Sequence, residues 1–255
     1  MICTESMTFG PVPSRRLGQS LGINNIPPKI CSYACIYCQL GRTLTMLSER
    51  AAFYDPKRIV EEVQEKVEEV RLAAETIDYL SFVPDGEPTL DIGLGREIAL
   101  LRPLGIRIAV ITNASLIWCE DVRDELTRAD WVSLKVDSVR EDVWRRIDRP
   151  HGKLRLARIL DGALEFSERF AGRLVTETML VEGVNDSDDL VEEPGDLDPP
   201  HAEDRPVQED VLPAGQLGVE AGAHLQQRAH PAVDHRQALG WLGDAGEDLE
   251  QSALA

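Results

Sequence analysis

Short β-branched apolar runs alternate with amphipathic stretches from about Gly22 to Leu180, and this alternation restricts the fold more than any other feature of the sequence. Apolar runs separated by helical patterns are typical of parallel strands that helices cover. The sequence predicts five such strands, at residues 21–26, 77–83, 106–112, 130–136 and 174–181. Five strand–helix repeats predict an α/β fold that is a parallel barrel or a large part of one.

Five helices are predicted between and after these strands. The clearest covers residues 55–73, where Asp55 can cap the helix and Pro56 suits its first turn. Its apolar residues recur at helical spacing, at Ile59, Val63, Val67 and Val70. The other predicted helices cover residues 92–102, 119–129, 140–147 and 154–170. Because chemistry in such folds lies at the carboxyl ends of the strands, functional residues are expected in the loops that follow them.

The charge and the apolar pattern exclude some classes of protein. The 255 residues carry a formal net charge of −18, which argues against a protein built mainly to hold nucleic acid. No apolar run is long enough for a membrane span, and the amino-terminal stretch MICTESMTFGPVPSRR lacks the order of a secretory signal. We therefore expect a cytoplasmic protein without membrane contact.

Residues 191–255 differ from the rest of the chain. They hold 14 acidic and 3 basic residues, a net charge of −11, against −7 for residues 1–190. From residue 194 on, Ile, Phe, Tyr and Thr are absent, so a disordered acidic tail is predicted after a core domain of residues 1–190. No strand is predicted beyond Val184. The tail is either genuine or an out-of-frame translation of a GC-rich gene, which translating the other two frames would distinguish.

Three cysteines, Cys31, Cys35 and Cys38, lie within eight residues at the spacing C-x₃-C-x₂-C. This crowding favours metal or redox chemistry in a reducing compartment over a disulfide framework. A structural zinc site normally takes four ligands, but Cys3 is far upstream and Cys119 begins a predicted helix. Three thiolates on a [4Fe–4S] cluster would leave one iron open to a ligand. A zinc-binding interaction module is the alternative.

The cysteine motif resembles the signature of the radical S-adenosylmethionine (SAM) superfamily, C-x₃-C-x-aromatic-C, with the aromatic residue at Tyr37. More narrowly, the segment FGPVPSRRLGQSLGINNIPPKICSYACIYCQLGRT resembles iron–sulfur oxidoreductases related to the tRNA wyosine-synthesis enzymes. The resemblance runs from about residue 9 to about residue 189.

This resemblance implies a fold and a reaction. The fold would be a partial (β/α)₆ TIM-like barrel, with Cys31, Cys35 and Cys38 holding the cluster in the loop after the first strand. The reduced cluster would pass one electron to the sulfonium of SAM, giving methionine and a 5′-deoxyadenosyl radical that abstracts hydrogen from a substrate. The electron would come from an external donor such as flavodoxin or ferredoxin.

The resemblance also implies residues that bind SAM. In DGEPTL, Gly86, Glu87 and Pro88 match the family's glycine–glutamate element, which holds the methionine amino group. A glycine permits close approach, and a carboxylate accepts a charge-assisted hydrogen bond from an ammonium. Asp85 stands where the superfamily often has glycine. Without its context, this stretch would be an ordinary turn.

Further positions resemble the family's SAM contacts at the ends of later strands. Asn113, in ITNAS, matches a Thr-Asn-Gly element in which Ala114 replaces the glycine, and it either supports the site or satisfies a turn. Ser133 matches a ribose contact, although strand alternation alone would also produce its pattern. The adenine side is matched by Tyr37, Gly183 and Asn185.

The substrate is not predicted by these motifs. Wyosine-forming relatives carry further amino-terminal cysteines, whereas only Cys3 precedes the motif here, so synthesis of a tricyclic base is not expected. RNA stays open as a substrate because Ser14, Arg15 and Arg16 could meet a phosphate, but the net charge does not indicate it. A truncated or frameshifted inactive relative is the other alternative.

Overall fold

The computed structural model describes residues 6–187 and the backbone of residues 209–212 and 216–221. The strands are β1 (Thr8–Ser14), β2 (Gly18–Ile23), β3 (Ile30–Cys31), β4 (Thr45–Met46), β5 (Tyr79–Phe82), β6 (Arg107–Thr112), β7 (Trp131–Lys135), β8 (Arg173–Leu180), β9 (Glu209–Leu212) and β10 (Gln216–Ala221). The helices are α1 (Pro56–Leu72), α2 (Leu94–Leu101), α3 (Glu120–Leu126), α4 (Glu141–Ile147) and α5 (Leu156–Arg169). Short 3₁₀ turns cover Pro88–Leu90 and Arg102–Leu104.

Eight strands form one mostly parallel sheet in the order β1-β2-β5-β6-β7-β8-β10-β9. The five strands from β2 to β8 are parallel, so their carboxyl ends lie along one edge. All five predicted strands and all five predicted helices are confirmed, and the α/β architecture with them. A separate pair, β3 and β4, lies in the segment after β2.

Strand β1, which pairs antiparallel with β2, was not predicted. Its sequence contains Pro11 and Pro13, and proline is rare in strands because it cannot donate to a neighbouring strand. The irregular pairing between Phe9 and Val12 spans Pro11. At the edge of a sheet one side of a strand needs no partner, so proline is tolerated there.

The expectation that no strand follows Val184 is wrong, because β10 pairs antiparallel with β8, and β9 with β10. Such pairing is made by backbone N–H and C=O groups, which an exposed strand edge offers to any sequence. The lack of β-branched runs after Val184 therefore does not prevent strands from forming there. The remainder of the predicted tail, and the alternatives for its origin, lie outside the described residues.

The two faces of the sheet differ in chemistry. One face packs on the helices, and its core includes Leu80, Phe82, Val110 and Val132. α1 covers it with the predicted stripe of buried residues, after Asp55 accepts a hydrogen bond from Lys57 N at the start of the helix. The opposite face has a smaller apolar cluster near the amino ends of the strands, formed by Leu17, Tyr79, Ala109 and Trp131. No helix among the described residues is long and apolar enough to cross a membrane.

Two buried carboxyl groups meet at the start of α2. Glu97 is fully buried, and neither of its carboxyl oxygens has a hydrogen-bond partner in the described part of the chain. A Cβ at Gly93 would lie 3.0 Å from Glu97 Oε1 and 3.2 Å from Asp91 Oδ1, so the two carboxyls share one small space. Burial, with the charge of Asp91 second, raises the pKa of Glu97 to about 9. Glu97 is therefore protonated at neutral pH.

This protonation makes stability depend on pH. Below the ordinary pKa of 4.5 the carboxyl of Glu97 is protonated in both the folded and the unfolded chain, and its contribution is complete. As pH rises towards about 9, the unfolded chain loses the proton and the folded chain keeps it, so stability is lost. We expect Glu97→Gln to remove this loss, at most about 1.4 kcal/mol per pH unit. Urea unfolding across this range measures it.

The matched control is Glu68→Gln on the exposed face of α1, which should unfold with the parent's pH dependence. Equal pH dependence of the Glu97→Gln variant and the parent would contradict the assignment.

Candidate functional site

The three clustered cysteines lie in the loop that follows β2, at the carboxyl edge of the parallel sheet. Cys31 ends β3, and all three thiols are partly buried. Cys38 N donates to Cys35 O at 3.1 Å, which closes a tight turn between the second and third cysteines. The loop lies where the sequence predicted it.

The DGEP turn after β5 packs directly against this loop. Lys29 N donates to Asp85 O at 2.6 Å, and Glu87 N donates to Ile30 O at 3.2 Å. A Cβ at Gly86 would lie only 2.0 Å from Ile30 O, closer than any side chain permits. Glycine is therefore required because the backbone next to Cys31 approaches it. Asp85 is exposed and does not fill the space between the two segments.

Glu87 is the most constrained carboxylate of the site. It is 1% exposed, and its Oε1 accepts from Thr89 N at 3.0 Å, Thr89 Oγ1 at 2.5 Å and Thr112 Oγ1 at 2.6 Å. Oε2 accepts from Asn113 N at 2.7 Å. Burial raises the pKa of Glu87, against the effect of these four donors. Since a carboxylate oxygen has two lone pairs, Oε2 can accept one more hydrogen bond.

Pro88 begins the 3₁₀ turn after Glu87, and its carbonyl accepts from Asn25 Nδ2 at 3.1 Å. Asn25 follows β2, so this bond joins the segments after the first two parallel strands. Pro88 is buried and contributes through its backbone.

Asn113 connects the loop after β6 to the first cysteine. Its Nδ2 donates to Ser32 Oγ at 2.9 Å and to Cys31 Sγ at 3.4 Å, within the limits for a sulfur acceptor. Its Oδ1 accepts from Ser115 N at 3.0 Å. Asn113 therefore has both roles: its Nδ2 supports the site, and its Oδ1 satisfies a turn. Ala114 has a φ of +60°, the left-handed region where a glycine would be unstrained.

A hydrogen-bonded chain reaches the second cysteine. Cys35 Sγ donates to Asp148 Oδ1 at 3.3 Å, and the Tyr37 hydroxyl contacts the same oxygen at 3.2 Å. That hydroxyl also donates a hydrogen bond to Asp137 Oδ2. Burial, with the charge of Asp137 second, raises the pKa of Asp148 well above its ordinary value. Sequence analysis missed Asp148, because it lies between two helices, far from every motif.

The end of α4 also holds the cysteine loop through its backbone. Ala34 N donates to Asp148 O at 3.0 Å, and Ile36 N donates to Ile147 O at 2.9 Å. The last carbonyls of a helix have no partner inside the helix. The cysteine loop supplies donors to two of them, so each segment satisfies the other.

Ser133 lies on β7, with its hydroxyl donating to Glu177 Oε1 at 2.6 Å. Arg16 forms an ion pair with the same carboxylate and lies over the ring of Trp131. Although burial raises the pKa of Glu177, Arg16 and then Lys135 hold it below its ordinary value. A ribose contact by Ser133 would therefore share the hydroxyl with Glu177.

The loop after β8 holds Gly183 and Asn185. Asn185 is fully buried; its Oδ1 accepts from Val181 N at 2.7 Å, and its Nδ2 donates to Asp137 O and Met179 O, each at 2.9 Å. The side chain is thus engaged by backbone groups and holds the loop against Asp137. Gly183 is exposed, with a φ of +67°. The adenine contacts predicted for both residues stay predictions.

Three cysteine sulfurs are the type of ligand that a [4Fe–4S] cluster takes, although two of them are held here as thiols. Burial, with the Glu87 carboxylate second, raises the pKa of Cys31 to about 12, and burial with Asp148 raises the pKa of Cys35 further. Iron must displace these protons, because only the thiolate is a ligand. In the described part of the chain no three His, Cys, Asp or Glu side chains converge on one point. A [4Fe–4S] cluster needs no such point, since each thiolate binds a separate iron.

Comparisons with known proteins identify the family of the chain. The family model for the Radical SAM superfamily matches residues 25–193. A UPF0026 protein of Methanocaldococcus jannaschii is 52% identical over 186 residues, which are 73% of this chain and 57% of that protein. The chain thus spans little more than half the length of this relative.

The solved structures that match have much lower sequence identity. A radical SAM methyltransferase from Sphaerobacter thermophilus has a TM-score of 0.53 at 17% identity, covering 70% of this chain and 52% of that one. An archaeal TYW1 has a TM-score of 0.47 at 16% identity, covering 70% and 60%. The first of these likenesses shows the fold.

Gly86→Ala should disturb the cysteine loop, because the new methyl group would collide with Ile30 O. We expect a loss of roughly 1–3 kcal/mol in the free energy of unfolding, measured in urea. Gly152→Ala is the matched control, since a Cβ there meets no atom within 4 Å. Equal stability of the two variants would contradict the close approach.

Cys31 and Cys35 should alkylate slowly in the reduced, metal-free protein at about pH 8, since the thiolate is the reactive form. Peptide mapping after timed exposure to iodoacetamide measures each rate. The same chain unfolded in guanidinium is the control and should react much faster at both positions. Similar rates in the two states would show that burial does not protect these thiols.

Proposed function

Since the chain belongs to the radical SAM superfamily, we propose that it is an iron–sulfur enzyme that reductively cleaves SAM and directs the resulting radical to hydrogen abstraction. Cys31, Cys35 and Cys38 would hold the cluster. When bound, the cluster supplies the electron that breaks the bond between the sulfonium and C5′ of SAM, giving methionine and a 5′-deoxyadenosyl radical. An external one-electron donor such as flavodoxin or ferredoxin would return the cluster to its reduced state.

One observation carries this proposal: Asn113 joins the first cysteine to the carboxylate that would hold SAM. Its side chain donates to Cys31 Sγ, and its backbone N–H donates to Glu87 Oε2. A residue that contacts both fixes the distance between the cluster ligand and the amino-group acceptor. Such fixed placement is what a reaction between a cluster and its substrate requires.

The protein's residues would bind and orient SAM. The remaining lone pair of Glu87 Oε2 would accept a hydrogen bond from the methionine ammonium, while Thr89, Thr112 and Asn113 hold the carboxylate in place. Ser133 would contact the ribose, and the backbone near Tyr37, Gly183 and Asn185 would border the adenine. The buried surroundings of Glu87 would exclude water from its hydrogen bond with the ammonium.

The substrate is proposed only as a class. The sheet face opposite the helices carries polar groups above its apolar cluster: Ser20 and Ser81 contact each other at 2.6 Å, and Arg16 pairs with Glu177. These groups favour a polar substrate. The acidic chain does not favour a long stretch of RNA, which needs a basic surface.

Anaerobic reconstitution with iron and sulfide tests the proposal. We expect a reduced [4Fe–4S] signal in electron paramagnetic resonance that changes when SAM is added. Cys35→Ala should lose both the cluster signal and SAM cleavage, whereas Cys119→Ala, at the start of α3, should keep both.

Other outcomes identify the alternatives. Zinc without iron would indicate an interaction module. A cluster signal that does not change when SAM is added would indicate an inactive relative. Full SAM cleavage by Cys35→Ala would exclude the radical mechanism.

A further inference from the structure

The cysteine loop carries apolar side chains on its outside. Ile36 is 37% exposed, Leu40 39% and Leu44 75%. These are three of the nine large apolar residues that are exposed in the described part of the chain, and they fall within nine residues of sequence. Ile36 follows Cys35 directly, and Leu40 lies two residues after Cys38. Exposed apolar side chains gathered in one place mark an interaction surface, whereas isolated ones need no explanation.

The same part of the molecule carries positive charge in an acidic protein. The chain has 45 acidic and 27 basic residues, yet residues 6–48 contain no Asp or Glu and hold four basic residues. Residues 143–160 hold six basic residues, and their one acidic residue, Asp148, is buried. Cations are thus concentrated in two segments of a chain whose net charge is negative.

These two segments pack against each other at the cysteine loop. Ile36 N donates to Ile147 O at 2.9 Å, and Arg146 and Arg149 lie on either side of Ile147 in the sequence, both exposed. Arg42 is exposed within the loop itself. None of the three arginines forms an ion pair with any residue that the structure describes. Their charges are therefore available to a second molecule.

The surface suits a protein better than RNA. Single-stranded nucleic acid is held by exposed aromatic rings together with basic groups. Neither tyrosine of the loop is exposed: Tyr33 is buried, and Lys135 lies over the ring of the partly buried Tyr37. Aliphatic side chains bordered by arginines instead match the apolar centre and polar rim of a protein interface.

We propose that this surface binds the small acidic protein that brings an electron to the cluster. The cysteine-loop surface comprises Ile36, Leu40, Arg42, Leu44, Arg146 and Arg149. The carrier would pass one electron to the cluster and be oxidised by one electron itself, with no atom transferred. This inference rests on the proposed function, which requires such a donor.

Charge and size both fit this partner. Opposite charges on two proteins speed their encounter and fix their orientation. Electron-transfer contacts are small and weak, so a few exposed residues are sufficient. Because Ile36 and Leu40 lie beside the ligands Cys35 and Cys38, a carrier bound here is close to the cluster.

The test titrates an oxidised acidic flavodoxin and, separately, an oxidised acidic ferredoxin into the reconstituted full chain, with the dissociation constant measured by calorimetry. We expect at least one of them to bind, and added salt to weaken the binding. Arg146→Glu should weaken it about tenfold, because an acidic partner would then meet a negative charge. Arg71→Glu is the matched control. It lies in the last turn of α1, which leads to the amino end of β5, and should bind like the parent.

Leu44→Ser tests the apolar part of the surface. It should weaken binding of the same carrier without changing how the binding depends on salt, since no charge is altered. Leu72→Ser, at a leucine that is 80% exposed at the end of α1, is its control and should bind like the parent.

Reduction of the cluster separates docking from the cluster itself. The reduced carrier should reduce the cluster more slowly in Arg146→Glu than in the parent. Dithionite needs no docking surface and should give both proteins the same reduced signal in electron paramagnetic resonance.

Several results would overturn the inference. They are parental binding by both Arg146→Glu and Leu44→Ser, equal weakening by Arg71→Glu, and binding of an RNA oligonucleotide in place of either carrier. Absence of binding by the parent, as expected if its own acidic residues 191–255 cover the surface, would also overturn it. A parent that forms no cluster overturns the proposed function as well. A parent whose cluster is reduced by dithionite, but which binds neither carrier, overturns only the docking surface.

Discussion

The cysteine loop has little regular structure of its own, so its backbone polar groups must be satisfied by its surroundings, and the rest of the site depends on this requirement. Its N–H groups donate to the last carbonyls of α4, and Ile30 O accepts from the turn after β5. The loop is therefore shaped by elements that are themselves fixed by the core. Three thiols in a flexible loop would have no defined arrangement. These three are positioned by the contacts of their loop with the sheet and with α4.

Buried polar groups form the second level of this organisation. Glu87 and Asn113 belong to loops after neighbouring parallel strands, and their mutual hydrogen bond joins those loops beside Cys31. Burying a carboxylate is costly unless donors compensate it, and Glu87 has four. A site built this way is rigid, because moving any one member would leave a buried group without its partner.

Much of the fold and part of the site could be predicted from the sequence. Apolar periodicity located the five parallel strands of the large sheet, though not the short pair β3 and β4, and the cysteine spacing located the loop, because both signals are local. Strand β1 was missed because Pro11 and Pro13 argue against a strand in the sequence, although an edge strand tolerates them. Asp148 was missed because its role comes from contact across more than a hundred residues with Cys35. Asn185 lies in the loop where the sequence placed it, and its adenine contact stays a prediction; no sequence signal indicates that backbone groups engage its side chain.

The prolines of β1 have a consequence for how molecules of this protein meet. An exposed strand edge can recruit the edge of another molecule, since its unpaired N–H and C=O groups form a template. Pro11 and Pro13 have no N–H to offer, and the register shift between Phe9 and Val12 interrupts the regular pairing of the strand. The β1 side of the sheet is thereby protected against growth into intermolecular aggregates during folding, when such edges are most exposed.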